Sequence, residues 1–246
     1  MKRLKILLLC LLISISSFAQ SLKVAAAANL QSVIKVLGDD FKQKTGITIE
    51  PIVSSSGNLT NQIKNGAPFD VFLSADMSFP GELFTDGLAT KKPVVYAQGL
   101  LIICSNQDIK LDHWEELLKT DQVKKIAIAN PKIAPYGKAA EETLHQKGIF
   151  DEIKPKVVYG ESISQVNTYI TTGVVEVGFT TRALVKDVEG KTKLYWKLID
   201  PTIYAPIEQG MVVLKKAEGN ADAEKFYQYI LSPAAKAIFE EYGYKK

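Results

Sequence analysis

Four short stretches of this chain carry residue types suited to holding an anion without a countercharge: Ala28-Asn29, Ser55-Ser56-Gly57, Pro135-Tyr136-Gly137 and Glu161-Ser162-Ile163. Each follows a run that reads as a β-strand and precedes a run with apolar residues at helical spacing. A strand that ends in a tight turn and a helix N-terminus gathers unpaired backbone N–H groups and the positive end of the helix dipole at one spot. The alanines of Ala25-Ala26-Ala27-Ala28 let backbone come close to whatever sits at the first turn, and Asn29 is placed at the helix N-cap. The chemistry this implies is recognition. N–H and O–H donors with few fixed charges suit an anion that stays deprotonated and only accepts hydrogen bonds. About six such donors, at roughly 1.5–3 kcal/mol each, bring micromolar to nanomolar affinity within reach without an arginine. Taken singly, Asn29 and Ser56 read as ordinary helix caps, Tyr136 as a packing aromatic and Ile163 as an apolar helix residue. The fourfold pattern is what carries the reading.

The elements that must position these turns alternate along the chain. Leu22-Lys23-Val24 ends a strand, and Leu30, Val33, Ile34, Leu37 and Phe41 form one apolar helix face that stops at Gly46. Ile47–Val53 and Asp70–Ala75 are strand runs, separated by a helix from Leu59 to about Gly66, and a further helix carries Phe79, Leu83 and Leu88. The apolar run Leu100–Cys104 is a strand, and a helix follows around Trp114. The pattern then restarts with strand Ile126–Ala129 and a helix to Gly148, and with strand Lys156–Tyr159 and a helix to Gly173. Strands Val174–Thr180, Leu194–Ile199 and Gln209–Leu214 precede two closing helices, the second beginning at Pro233. Strands alternating with helices in this way predict an α/β fold with mixed sheets and helices on both faces. Two turns fall in each of two modules, joined near Gln98-Gly99 and again near Gln209-Gly210 with no low-complexity linker. The expected division is a signal peptide at 1–19, a first lobe from 20–98 and 210–246, and a second lobe at 99–209, with a hinged cleft on which the four helix N-termini converge.

Composition narrows the function class. The 246 residues are 46% hydrophobic and carry a net charge of +3, too mild a charge to argue for nucleic acid, and no basic stripe with interleaved aromatics is present. His113 and His145 are too few and too isolated to anchor a metal cluster. Lys2, Arg3 and Lys5 precede the apolar run Ile6–Ile15, which is too short to span a bilayer, and Ser17-Phe18-Ala19 supplies small residues for cleavage after Ala19. This is an export signal. Lipidation at Cys10 is the alternative, but it would leave almost no apolar core before the cysteine. Cys104, the one cysteine of the mature chain, reads as a small buried hydrophobe. No heptad pattern argues for an oligomer, so a monomer is expected.

The order and spacing of several motifs make the chain resemble the molybdate-binding periplasmic proteins of ABC importers, type II periplasmic binding proteins. The stretches are Val24–Leu30, Ser54–Leu59 with Gln62-Ile63, Gly66–Asp76, Ala129-Asn130-Pro131 with Ala134–Gly137, and Ala237–Phe239 with Tyr242-Gly243. The resemblance covers essentially the whole mature chain. It implies a two-lobed fold, no cofactor, and an oxyanion held at Asn29, at Ser56 with Ser55 as second candidate, and by backbone amides of Tyr136 and Ile163. The family's tyrosine hydroxyl after the glycine-containing strand is replaced here by Thr181, whose shorter side chain departs from that pattern. It implies molybdate and tungstate as ligands, a membrane permease as partner and the periplasm as location. Selectivity over sulfate would come from cavity size.

Two other readings stand beside this one. The first is another ligand, such as sulfate or phosphate. A protonated phosphate calls for an acceptor in the site, and among the four turns only Glu161 is near to supplying one. The second is an exported hydrolase using Ser55 or Ser56. Neither serine has a plausible histidine base, no Gly-x-Ser-x-Gly elbow is present, and Asp76 after its strand reads as a cap or turn residue.

Overall fold

The computed structural model describes residues 21–245, so the signal segment and Cys10 lie outside the described residues. The first sheet takes β1 (Leu22–Ala27), β2 (Ile49–Ser54), β3 (Val71–Leu73), β4 (Val94–Gly99) and, from the far end of the chain, β10 (Ile207–Val213), in the order β2-β1-β3-β10-β4. The second takes β5 (Leu101–Ser105), β6 (Ile126–Ala129), β7 (Val157–Gly160), β8 (Val177–Thr181) and β9 (Tyr195–Leu198), in the order β7-β6-β8-β5-β9. The fold is two-lobed α/β, each lobe built on one mixed sheet. Within the first, β1 runs parallel to β2 and β3, while β10 is antiparallel to β3 and β4. Within the second, β6 runs parallel to β7 and β8, while β5 is antiparallel to β8 and β9.

The longer helices are α1 (Val33–Thr45), α2 (Ser56–Lys64), α3 (Ser78–Thr85), α4 (Pro135–Gln146), α5 (Ile163–Thr171), α6 (Ala221–Ile230) and α7 (Pro233–Glu241). Strand alternation explains why both faces of the first sheet are covered. Leu22, Val24 and Ala26 of β1 pack into one core with Leu37 and Phe41 of α1 and Phe226 and Phe239 of α6 and α7. Ala25 points the other way, into a second core with Leu59 and Ile63 of α2 and Leu83 of α3. The second lobe has one large core, in which Cys104 is fully buried and burial pushes its thiol pKa up to about 12.

Gly46 ends α1 in the left-handed conformation, φ 75°, where glycine carries no steric cost. The start of that helix departs from expectation. Asn29 does not cap it. It lies in a buried 3-10 turn, Ala28–Leu30, and α1 begins at Val33 with Ser32 as its N-cap and no side-chain cap bond. The Asn29 amide has stronger partners in the interior and is drawn inward to them. Strand β4 is likewise not anticipated as a separate element. From Val94 to Cys104 the sequence offers Gly99 as its one glycine, and there the chain leaves the first sheet and enters the second. Ala97 packs in the first lobe's core and Leu101 in the second's. The return passes from Leu198 in the second sheet to Ile207, which pairs with Gly99 in the first, and the pairing of β10 with β4 shifts register between Gln209 and Gly210.

Candidate functional site

The two sets of parallel strands aim their carboxyl ends at the same region. Ala27 lies beside Ser54 in one sheet and Ala129 beside Gly160 in the other. The turns that follow these four strands carry Asn29, Ser56, Tyr136 and Ile163, and all four residues line one small cavity of about 10 Å³ between the lobes. Ser55 lines it too, and none of its lining residues is Asp, Glu, Lys, Arg or His.

Each turn presents donors for a local reason. Ser55 is the N-cap of α2, its Oγ accepting from the Asn58 N–H at 3.4 Å. Ser56 is therefore the first helical residue rather than the cap. Its Oγ accepts from the buried N–H of Ala75 at 3.0 Å, which occupies a lone pair and leaves the hydroxyl proton free to donate. Pro135 occupies the first position of α4, where its missing N–H costs nothing, and the Tyr136 N–H follows it. Gly137 then packs against the end of β6, where a Cβ would stand 2.1 Å from the Ala129 carbonyl oxygen. That close seating brings the helix terminus to the strand edge. Ser162 caps α5 by accepting from the Gln165 N–H at 3.3 Å, which leaves Ile163 at the first helical position with no intrahelical partner for its N–H.

Asn29 sits differently. Its Nδ2 donates to Gln209 Oε1 at 2.8 Å and to the Tyr244 hydroxyl at 3.0 Å, while its Oδ1 is buried without a partner among the described residues. Thr181 is not part of the cavity wall. Its Oγ1 donates to the Tyr136 hydroxyl at 3.3 Å and accepts from the Ala183 N–H at 3.3 Å, so it braces the Tyr136 ring from behind. That phenol is fully buried, and desolvation holds its pKa above the ordinary tyrosine value. The lobes also touch across the cleft. Gly57 N–H donates to the Ile133 carbonyl at 3.0 Å, and Ser164 Oγ donates to the Ala28 carbonyl at 3.3 Å and bonds Gln31 Oε1.

Reading the sequence missed Gln209, Tyr244 and the cross-cleft pair Gly57–Ile133. Gln209 carries the one available signal, an amide at the edge of the apolar run Gly210–Leu214 that has to find partners if buried.

The arrangement is a small pocket lined by uncharged residues of both lobes, and proteins of known sequence and structure share its frame. Residues 22–245 match the family described as bacterial extracellular solute-binding protein. The chain is 38% identical over 221 residues to the molybdate-binding protein ModA of Rhodobacter capsulatus, covering 89% of this chain and 86% of that one. It is 34% identical to the molybdate-binding protein ModA of Azotobacter vinelandii, covering 95% and 93%. The solved structure of the Azotobacter vinelandii periplasmic molybdate-binding protein superposes with a TM-score of 0.87 at 31% identity, over 92% of this chain and 99% of that one. With its fold, its two-lobed pocket and a match running from Leu22 to Lys245, the chain belongs to the bacterial extracellular solute-binding protein family.

Proposed function

We propose that this protein captures molybdate in the cavity between its lobes and delivers it to the membrane permease of an ABC importer. One observation carries the reading: helix-starting turns from both lobes line one small cleft, and nothing ionised lines it. Relatives 38% and 34% identical that are named molybdate-binding proteins support the choice of anion. A fully deprotonated dianion accepts hydrogen bonds and gives none, so a wall of N–H and O–H groups matches it, whereas a lining carboxylate would repel it. The donors assigned are the Ser56 hydroxyl and the main-chain N–H groups of Asn29, Tyr136 and Ile163, with Thr181 acting on the site through the Tyr136 ring. Tungstate, alike in size and charge, enters by the same contacts. The lobes, 20–98 with 210–246 and 99–209, bend about Gly99 and the irregularity at Gln209-Gly210. The protein is exported to the periplasm after cleavage near Ala19 and works as a monomer. The relatives are solute-binding proteins, and the chain is not an enzyme.

Thermal denaturation of the mature protein with molybdate, tungstate, sulfate and phosphate tests this. A ligand in hundredfold excess over its Kd stabilises the folded state by about 2.7 kcal/mol, a rise of several degrees in Tm. A rise with molybdate and tungstate alone is expected. A rise with sulfate or phosphate alone overturns the ligand and keeps an anion site, and no rise with any of the four overturns the reading.

A further inference from the structure

The amide of Asn29 is held in one orientation by a chain of hydrogen bonds whose protons can all be assigned. Gln209 is fully buried on β10, at the register shift. Its Nε2 donates to the carbonyls of Ala75 at 3.3 Å and Ile207 at 3.2 Å, so that end of the side chain must be the nitrogen. Oε1 is therefore the atom facing Asn29. An amide oxygen only accepts, so Asn29 must turn Nδ2 toward it. The second Nδ2 proton goes to the Tyr244 hydroxyl, and the Tyr244 proton goes to the main-chain carbonyl of Asn29 at 2.8 Å. Reversing the Asn29 amide would set its oxygen against the Gln209 oxygen and break the Nδ2 donation to Tyr244 as well.

Tyr244 is itself fixed by the hinge strands. Gly243 turns the chain with φ 80°, Tyr244 N–H returns to the Phe239 carbonyl at 3.0 Å, and Lys245 exchanges two backbone bonds with Gln98 at 2.8 and 2.9 Å. Gln98 is the β4 residue paired with Glu208, beside Gln209. Both arms that grip Asn29 thus originate where the chain crosses between lobes. Between them they bind the side chain and the carbonyl of one residue and so set the direction of the whole first turn.

From this geometry we infer that Gln209 and Tyr244 are positioning residues for the anion: they lock the first turn so that Asn29 offers its main-chain N–H to the cleft, and the C-terminal segment Gly243–Lys245 is a working part of the site. The inference rests on the cavity being the molybdate site. It also places both side-chain protons of Asn29 on the protein rather than on the ligand.

Calorimetric titration of molybdate at 25 °C into wild type, Tyr244→Phe, Asn29→Ala and the double variant tests it, each protein first checked to be folded at that temperature. Tyr244→Phe removes one hydroxyl and keeps the ring, and Kd is expected to rise roughly five- to tenfold. Adding Tyr244→Phe to Asn29→Ala is expected to raise Kd by clearly less than the same change does in wild type, because the bond from the Asn29 amide is already gone and only the bond to the main-chain carbonyl of residue 29 is left to lose. A merely structural hydroxyl lowers Tm and leaves Kd at 25 °C where it was, and that result overturns the inference. So do additive losses in the double variant. If wild type takes up no molybdate, the reading of the cavity falls and this assignment falls with it. Wild-type binding with an unchanged Tyr244→Phe removes this assignment alone.

Discussion

Gly57 in the first lobe donates its main-chain N–H to the carbonyl of Ile133 in the second, 3.0 Å away. A side chain at Gly57 has nowhere to go, since a Cβ there would lie 2.9 Å from both Cα and Cβ of Ile133. The bond and the close approach at Gly57 both join one lobe to the other. The Gly57→Ala variant is therefore expected to fold with a Tm close to wild type in the absence of ligand. Its closed form carries an overpacking cost of about 1–3 kcal/mol, which appears as a rise in molybdate Kd of roughly fivefold to 150-fold in calorimetry.

Neighbouring serines should differ in affinity, since both support the fold, Ser55 as a cap and Ser56 through the Ala75 N–H, and only Ser56 is the proposed donor. Ser55 is the cap of α2, and Ser56 lines the cavity while its Oγ accepts from the Ala75 N–H, which makes its hydroxyl the donor proposed for the anion. Ser55→Ala is expected to lose about 1 kcal/mol of folding stability with a small change in Kd. Ser56→Ala removes a donor to a charged group, worth about 1.5–3 kcal/mol, and Kd is expected to rise more than tenfold. Denaturant melts read the first effect and calorimetry the second. Equal losses of affinity at both positions would contradict the assignment of Ser56 as the donor.

Much of the frame is legible in the sequence because it rests on local rules. The 2-residue alternation of β1, the 3.6-residue spacing of α1 and the glycine at its end each follow from a few adjacent residues. The four turns are legible for the same reason. What escapes is what depends on distant partners. Asn29 beside a helix looks like a cap, and only the arrival of Tyr244 from 215 residues away and Gln209 from 180 turns its amide inward. Strand β4 escapes because its sheet change at Gly99 is decided by where two separate cores form, not by a local break. Thr181 follows the same logic: the family pattern places a hydroxyl there, but the reach of the side chain ends on Tyr136.

Thr181→Val tests that last point. The substitution keeps the shape and removes both hydrogen bonds of Oγ1, to the Tyr136 hydroxyl and from the Ala183 N–H. The unpaired buried N–H costs about 1–3 kcal/mol of stability. Because Thr181 stands outside the cavity wall, Kd for molybdate is expected to rise less than threefold, well short of Ser56→Ala. A loss equal to that of Ser56→Ala would show Thr181 to be a direct contact.

The response to pH follows from the absence of ionised groups in the cavity wall. No carboxylate, imidazole or amine lines it, so affinity for molybdate is expected to stay flat within about twofold between pH 6.5 and pH 9, a range bounded above by the ordinary tyrosine pKa of about 10. Stability is different at the alkaline end. Burial raises the pKa of Tyr136, Tyr96 and Tyr244 above the ordinary value of 10.0. Each holds its proton more tightly when folded than when unfolded, so its contribution is fully present below pH 10 and is lost as pH rises from there toward the folded pKa. Tm is expected to hold level to about pH 9 and then to fall with a slope that steepens above pH 10. Ultraviolet titration gives the matching signature. The tyrosinate absorbance of buried Tyr96, Tyr136 and Tyr244 is expected to appear together with loss of the folded circular dichroism signal. Ionisation of all ten tyrosines near pH 10 with the fold intact would contradict the burial that holds Tyr136 and Tyr244 beside the first turn.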